Sequence, residues 1–308
     1  MRVAVIGVGH LGRHHARILA GSPDVQLTSI VDINAARARE IASQYGVAAH
    51  TDWRTLTGSV DAVTIAAPTE AHVTIAAAFL EQRVHVLVEK PMTTTTAEAD
   101  RLLALARLNG VVLAVGHTER FNPAVAHAKP LLAAPRFIEV HRLGTFPERS
   151  LDIDVVFDLM IHDLDLVLDI VGGEVAAIEA VGVPVLTSRV DIANVRLRFD
   201  NGCIANLTAS RISRDRVRKI RFFQKDAYVS VDYAAQEVEL YRLVPQAGQM
   251  PVIEGGKVDV RREEPLKREL EDFVGAIRNG RAPLVTGEQG RAALALAERV
   301  VERMEMTK

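Results

Sequence analysis

The chain has 308 residues, is 48% hydrophobic and 25% charged, and carries a formal net charge of −2. That is a globular composition with length enough for two domains, and the charge gives no electrostatic basis for binding nucleic acid or an acidic membrane surface. One cysteine, Cys203, excludes an intramolecular disulfide and reads as a small packing residue, so nothing demands an oxidising compartment.

Val3–Ile6 is too short for the core of a secretory signal and runs into glycines and then His10, Arg13, His14 and His15. No stretch approaches the ~20 apolar residues of a membrane span. The expected location is the cytoplasm. Strand and helix then alternate. Strands are expected at Val3–Ile6, Val25–Val31, Ala62–Ala67, Val84–Val88 and Val111–Val115, and helices at Leu11–Leu19, Ala35–Tyr45, Thr69–Gln82 and Ala97–Leu108. Continuous apolar strands separated by helices imply a doubly wound parallel Rossmann sheet.

The rhythm changes after residue 120. One helical pattern runs from about Asp154 to Val171 and stops at Gly172-Gly173. Strands follow at Ala176–Val183, Ile192–Phe199, Ile204–Ser210, Val217–Phe223 and Tyr228–Tyr233, with Asp200-Asn201-Gly202 as a hairpin turn. Helices return at Glu264–Arg278 and Glu288–Met304. The fold class is therefore α/β: an N-terminal Rossmann domain over residues 1–120, and a C-terminal α+β domain over 121–285 with a large, mostly antiparallel open sheet. The last helix, about 286–308, is expected to pack back onto the first domain. The open sheet face is expected to expose apolar residues, for example Val195 and Leu197 or Ile204 and Leu207. That face would pair two copies into a dimer, or a tetramer of such dimers.

Gly7-Val8-Gly9-His10-Leu11-Gly12 matches G-x-G-x-x-G, follows a strand and opens a helix, and Asp32 ends the second strand twenty residues later. In that context the glycines serve a tight turn, close approach to a pyrophosphate and helix packing, and the helix N-terminus meets the phosphate charge. Asp32 accepts from ribose hydroxyls and repels a 2′-phosphate, which favours NAD over NADP; as a plain helix cap it would be compatible with both. Glu89-Lys90-Pro91 ends a strand near the switch point of the sheet. Lys90 there is either a cation beside nicotinamide and substrate or a surface lysine before a helix, and Pro91 makes the turn a candidate for a cis bond.

Asp158, His162, Asp165 and Asp169 are spaced 4, 3 and 4 apart, on one helical face. For Asp158 and His162 an Asp orienting a His base and a solvated stripe are equally open. For Asp165 and Asp169 the solvated stripe is preferred. Residues 211–221 hold Arg211, Arg214, Arg216, Arg218, Lys219 and Arg221 against Asp215. Positions 214, 216 and 218 on one side of a strand would suit a diphosphate, although a solvated or intersubunit face is preferred.

Together the glycine loop with Asp32, the Glu89-Lys90-Pro91 turn and Asp158-x-x-x-His162 resemble the glucose–fructose oxidoreductase and inositol dehydrogenase family over essentially the whole chain. The resemblance implies a catalytic set of Lys90, Asp158 and His162. His162 is the base, Lys90 positions the hydroxyl and cofactor ribose, and Asp158 holds His162. It implies NAD as cofactor, bound by Gly7, Gly9, His10, Leu11, Gly12, Asp32, Pro68, Thr69, Glu89 and Lys90, and no metal. Asp154-Val155-Val156-Phe157 replaces the glycines many relatives carry before the Asp. Val115–Pro123 and Asp152–Val156 look instead like the subgroup acting on the 3-hydroxyl of UDP-N-acetylglucosamine, with Arg120, Asn122 and His162 on the substrate. The expected partner is thus a sugar or nucleotide-sugar. The alternatives are a dehydrogenase of a free sugar or cyclitol such as myo-inositol, and an NAD-binding regulator without turnover.

Overall fold

The computed structural model describes residues 1–146, 153–247 and 250–305. The chain divides into two compact units, Met1–Thr118 with Leu266–Leu294, and Glu119–Pro265 with the residues from Ala295 onward.

The first unit is built on six parallel strands: β1 (Arg2–Ile6), β2 (Gln26–Val31), β3 (Ala48–His50), β4 (Ala62–Ile65), β5 (His85–Glu89) and β6 (Leu113–Gly116). They lie in the order β3-β2-β1-β4-β5-β6, the doubly wound arrangement with a switch point between β1 and β4. The first strands bury both faces because helices cover both. Those helices are α1 (Gly12–Ala20), α2 (Ala35–Tyr45), α3 (Thr69–Glu81) and α4 (Thr96–Asn109). Each boundary has a local cause. Thr95 and Glu98 form a capping box at the start of α4, and Gly46 and Gly110 end α2 and α4 in the left-handed region.

The C-terminal return differs from expectation. It begins at Leu266 rather than near residue 286, because α7 (Pro265–Asn279) places Leu266, Leu270, Phe273 and Val274 in one core with Val3, Val5, Leu27 and Ile30. α8 (Gly287–Glu305) starts in the first unit, but its later turns belong to the second. There the Arg299 guanidinium donates to the Val175 carbonyl at 3.0 Å. Met304 lies so close to Gly182 that a Cβ there would fall 2.4 Å from its sulfur.

The second unit holds α5 (Pro123–Ala128), α6 (Ile161–Val171) and eight strands: β7 (Phe137–Leu143), β8 (Val175–Val183), β9 (Ile192–Phe199), β10 (Ile204–Ser210), β11 (Val217–Gln224), β12 (Ala227–Asp232), β13 (Glu237–Val244) and β14 (Val252–Val258). Their order is β14-β13-β12-β11-β7-β10-β9-β8. Only β7 and β10 pair in parallel. Asn201-Gly202 makes the β9–β10 hairpin, with Gly202 at φ +84° and the Asn201 side chain accepting the Cys203 N–H. Val125 and Ala128 of α5 and Leu166 and Ile170 of α6 share an apolar interface with Ile220, Phe222 and Val231 of the sheet.

The helix expected from about Asp154 to Val171 runs without a break, but Val156–Met160 form a π-turn that leads into α6. Two expectations are corrected. Val195, Leu197 and Leu207 face the helices and are completely buried, while the open face carries Asn194, Arg196, Arg198, Asn206 and Thr208. Side chains alternate along a strand, so the even-numbered and odd-numbered examples could not have shared a face. Finally, Arg214 and Arg216 precede β11, and only Arg218 of the three lies in the strand. The apolar part of the open face is elsewhere. Phe137, Phe223, Tyr228 and Tyr241 form a ladder across β7, β11, β12 and β13, with ring centroids 5.5, 5.2 and 6.2 Å apart, and Leu243 and Ile253 extend it.

Candidate functional site

The glycine loop connects β1 to α1. Gly7 sits at φ +82°, and a Cβ there would fall 2.6 Å from the Ala66 carbonyl oxygen; one at Gly12 would fall 1.8 Å from the Gly7 oxygen. Both positions therefore require glycine. A Cβ at Gly9 would meet nothing within 4 Å, so the loop backbone is open on the side a ligand would approach. Leu11 is the N-cap of α1 and supplies no side-chain hydrogen bond; the Arg13 and His14 N–H groups donate to the Gly9 and Leu11 carbonyls, and the positive end of the helix faces the loop. His10 beside them is exposed.

Asp32 follows β2 and is 8% exposed. Its carboxylate accepts the Val8 N–H at 2.9 Å and the Asn34 N–H at 2.9 Å. Helix capping falls to Asn34, whose side chain accepts from Ala36 and Arg37, so Asp32 is not a plain cap. The open loop, the N-terminus without a side-chain cap and the carboxylate fit a dinucleotide with a free ribose 2′-hydroxyl.

Two further turns lie at the carboxyl ends of β4 and β5. Pro68 and Thr69 open α3. Lys90 and Pro91 follow β5, and their peptide bond is cis. His72 joins the turns: its Nε2 is 2.8 Å from the Ala67 oxygen and its Nδ1 is 3.0 Å from the Pro91 oxygen. Glu89 is buried, its carboxylate 3.1 Å from His15 Nε2, and it accepts the Lys90 N–H at 3.3 Å. Glu269 of α7 completes a group with these two, all three offering ligand atoms within 4.8 Å of one another. Sequence reading missed His15, His72 and Glu269. His15 and His72 lie within the apolar faces of α1 and α3, where a histidine gives no distinct signal.

The cofactor-side residues all lie in the first unit; Arg120, Asn122, Asp158 and His162 lie in the second. Asp158 is half-buried in the π-turn, and His162 is half-buried in the first turn of α6. The segment leading to them is anchored. Val190 donates its N–H to the Asp154 side chain, Val155 donates to the Val190 carbonyl, and Arg211 donates to the Ile153 carbonyl at 2.7 Å. Arg211 in turn bonds the buried Asp191 at 2.8 Å. Against its burial, the Leu186 and Thr187 N–H groups and Arg211 hold the Asp191 carboxyl well below the usual carboxylate range.

The expected solvated stripe at Asp165 and Asp169 is replaced by ion pairs. Arg120 Nε lies 2.7 Å from Asp165, both buried, and its Nη1 bonds Asp169, which Lys129 also reaches at 2.6 Å. Arg120 thus commits its Nε and Nη1 to ion pairs within the second unit. Asn122 likewise caps α5 through the Ala124 N–H and donates to the Tyr233 carbonyl at 3.0 Å. Asp152, part of the segment read as substrate-side, lies outside the described residues. Of the basic segment, Arg221 pairs with Glu139 and Lys219 with Asp232, while Arg214, Arg216 and Arg218 are exposed.

A family model described as "Oxidoreductase family, NAD-binding Rossmann fold" matches residues 1–117, and one for the GFO/IDH/MocA C-terminal domain matches residues 135–229. The chain is similar to UDP-N-acetylglucosamine 3-dehydrogenase of Acidithiobacillus ferrooxidans, at 42% identity over 97% of this chain and 96% of that protein. A solved structure of that enzyme superposes with a TM-score of 0.93 at 40% identity, covering 99% of this chain and 98% of the other. The myo-inositol 2-dehydrogenase of Thermotoga maritima is 27% identical over 99% of this chain and 96% of its own length. The chain therefore belongs to the GFO/IDH/MocA family of oxidoreductases, and its first unit is that family's NAD-binding Rossmann fold.

Proposed function

We propose that this protein oxidises the 3-hydroxyl of UDP-N-acetylglucosamine to a 3-keto sugar. The observation that carries the reading is the full-length likeness to an enzyme of that name, which extends through both units rather than the Rossmann unit alone. When bound, NAD accepts the hydride from the sugar carbon. The protein supplies the rest. Gly7, Gly9, His10, Leu11 and Gly12 hold the pyrophosphate against the start of α1, and Asp32 holds the adenosine ribose. Pro68, Thr69 and Glu89 lie on the nicotinamide side. His162 takes the hydroxyl proton, Asp158 orients His162, and Lys90 positions the hydroxyl. The exposed guanidinium groups of Arg214, Arg216 and Arg218 suit a diphosphate, which a planar fork binds in bidentate fashion. Two copies pair through the aromatic end of the open sheet, since an exposed apolar ladder of this kind is rarely left bare.

The test is NADH formation with UDP-N-acetylglucosamine, with an aminotransferase coupled to draw off the keto product. Turnover there supports the reading. Absence of turnover, together with turnover of myo-inositol or free glucose, moves the assignment to a cyclitol or free-sugar dehydrogenase. A protein that binds NADH yet turns over none of these substrates is a regulator.

A further inference from the structure

Glu269 of α7 is 1% exposed, and neither of its carboxyl oxygens has a hydrogen-bond partner. It faces Glu89 at the end of β5 and His15 in α1, both buried, with the three ligand atoms within 4.8 Å of one another. The other groups that act on it are the Thr118 hydroxyl, after β6, and Asp272 on its own helix. Neither is a cation. Glu89 has little freedom to move away. One oxygen is bonded to His15 and the other accepts the Lys90 N–H. Its carboxyl also packs so tightly on Gly116 that a Cβ there would fall 2.7 Å from it.

Two carboxylates ionised side by side in such a space are mutually repelled and poorly solvated, and one imidazole can compensate only one of them. We propose that Glu269 is a positioning residue that stays protonated, leaving Glu89 as the single carboxylate of the cluster and fixing it where it receives the Lys90 N–H. Burial and the neighbouring Glu89 charge both push the Glu269 carboxyl well above the ordinary carboxylate range. The role rests on the reading of Glu89 and Lys90 as cofactor-side residues, but the proton does not.

The sign of the pH effect follows. A carboxyl whose pKa is raised on folding contributes stability below its unfolded pKa and loses it as the pH climbs through the folded value. Glutamine in its place keeps the shape and neutrality at every pH. The test compares wild type, Glu269→Gln and Glu269→Ala from pH 6 to pH 10, reading Tm and the NADH dissociation constant by fluorescence.

At pH 6, Glu269→Gln should be at least as stable as wild type, which already bears the cost of a carboxyl that ionises on unfolding, and should bind NADH within about twofold. As the pH rises, wild type should lose Tm and NADH affinity relative to Glu269→Gln. Glu269→Ala should be weaker throughout, and if it does not fold, the other two still decide. A Glu269→Gln protein already damaged at pH 6 would overturn the proposal, because the charge would then be needed. So would parallel pH curves, or a stoichiometric divalent metal found by elemental analysis of the purified protein. Failure of every variant and of wild type to bind NADH would overturn the cofactor-side role instead, while the Tm comparison would still decide the protonation.

Discussion

The backbone N–H of Val8 donates to the Asp32 carboxylate at 2.9 Å, so the glycine loop and the end of β2 form one hydrogen-bonded unit. Asp32 therefore shapes the loop, and in the proposed cofactor site it also discriminates between ribose and 2′-phosphate. Asp32→Ala removes both and should weaken NADH binding by about tenfold or more while relaxing the preference over NADPH. Asp32→Asn keeps an acceptor for Val8 and should relax the preference with a smaller loss. Fluorescence titration with the two dinucleotides checks this. Wild-type protein that binds NADPH as well as NADH would show that Asp32 does not discriminate.

His162→Ala should leave the NADH dissociation constant nearly unchanged and lower turnover by roughly 10²–10⁴-fold, the usual worth of a positioned base. Lys90→Ala should cut turnover and also weaken the cofactor, since Lys90 is assigned to both the hydroxyl and the ribose. Normal turnover of His162→Ala would place the base elsewhere.

Arg120→Ala strands Asp165 and leaves Asp169 with Lys129 alone. Breaking a buried pair from one side should cost about 3–5 kcal/mol. Urea unfolding measures it. A loss of substrate affinity without a loss of stability would return Arg120 to the substrate.

Cys203 is buried, and that burial pushes its thiol up to about 11. At pH 8 the native protein should resist alkylation by iodoacetamide for as long as it stays folded, and should react promptly in denaturant. Mass spectrometry of the intact chain distinguishes the two.

Leu243→Glu together with Ile253→Glu puts charge on the exposed end of the aromatic ladder. Light scattering should report a smaller particle than wild type with the fold retained by circular dichroism. A wild-type monomer at micromolar concentration would count against the pairing itself.

The Rossmann unit was legible because its strands are short apolar runs between helical segments, and its loop glycines have steric reasons written into one string. β3 escaped because three residues give no period. In the second unit β7 escaped for another reason. Its inward positions are Ile138, Val140 and Arg142, and the arginine breaks an alternation that Asp163 and Glu119 make tolerable only in three dimensions. β13 and β14 are rich in Glu, Arg, Lys and Gly, as strands at the far end of a sheet can be. The candidate site divides in the same way. The Lys90 and Asp158-His162 motifs stand out in sequence, whereas His72 and Glu269 become visible only once the turns at Ala67 and Pro91 and the buried face of α7 are placed.

The π-turn at Val156–Met160 gives the path into α6 one residue more than a regular helix of the same rise requires. Five residues in a π-turn make about the rotation and rise that four make in an α-helix, so the spare residue is taken up locally and the segments on either side keep their phase. Removing Val156 or Phe157 lets the backbone settle into uninterrupted α-helix with Asp154 still in reach of the Val190 N–H and the Ile153 carbonyl still turned to Arg211. What moves is the turn itself, and with it Asp158 relative to His162. A single-codon deletion there should therefore leave the fold intact and lower turnover through the proposed Asp158–His162 pair alone.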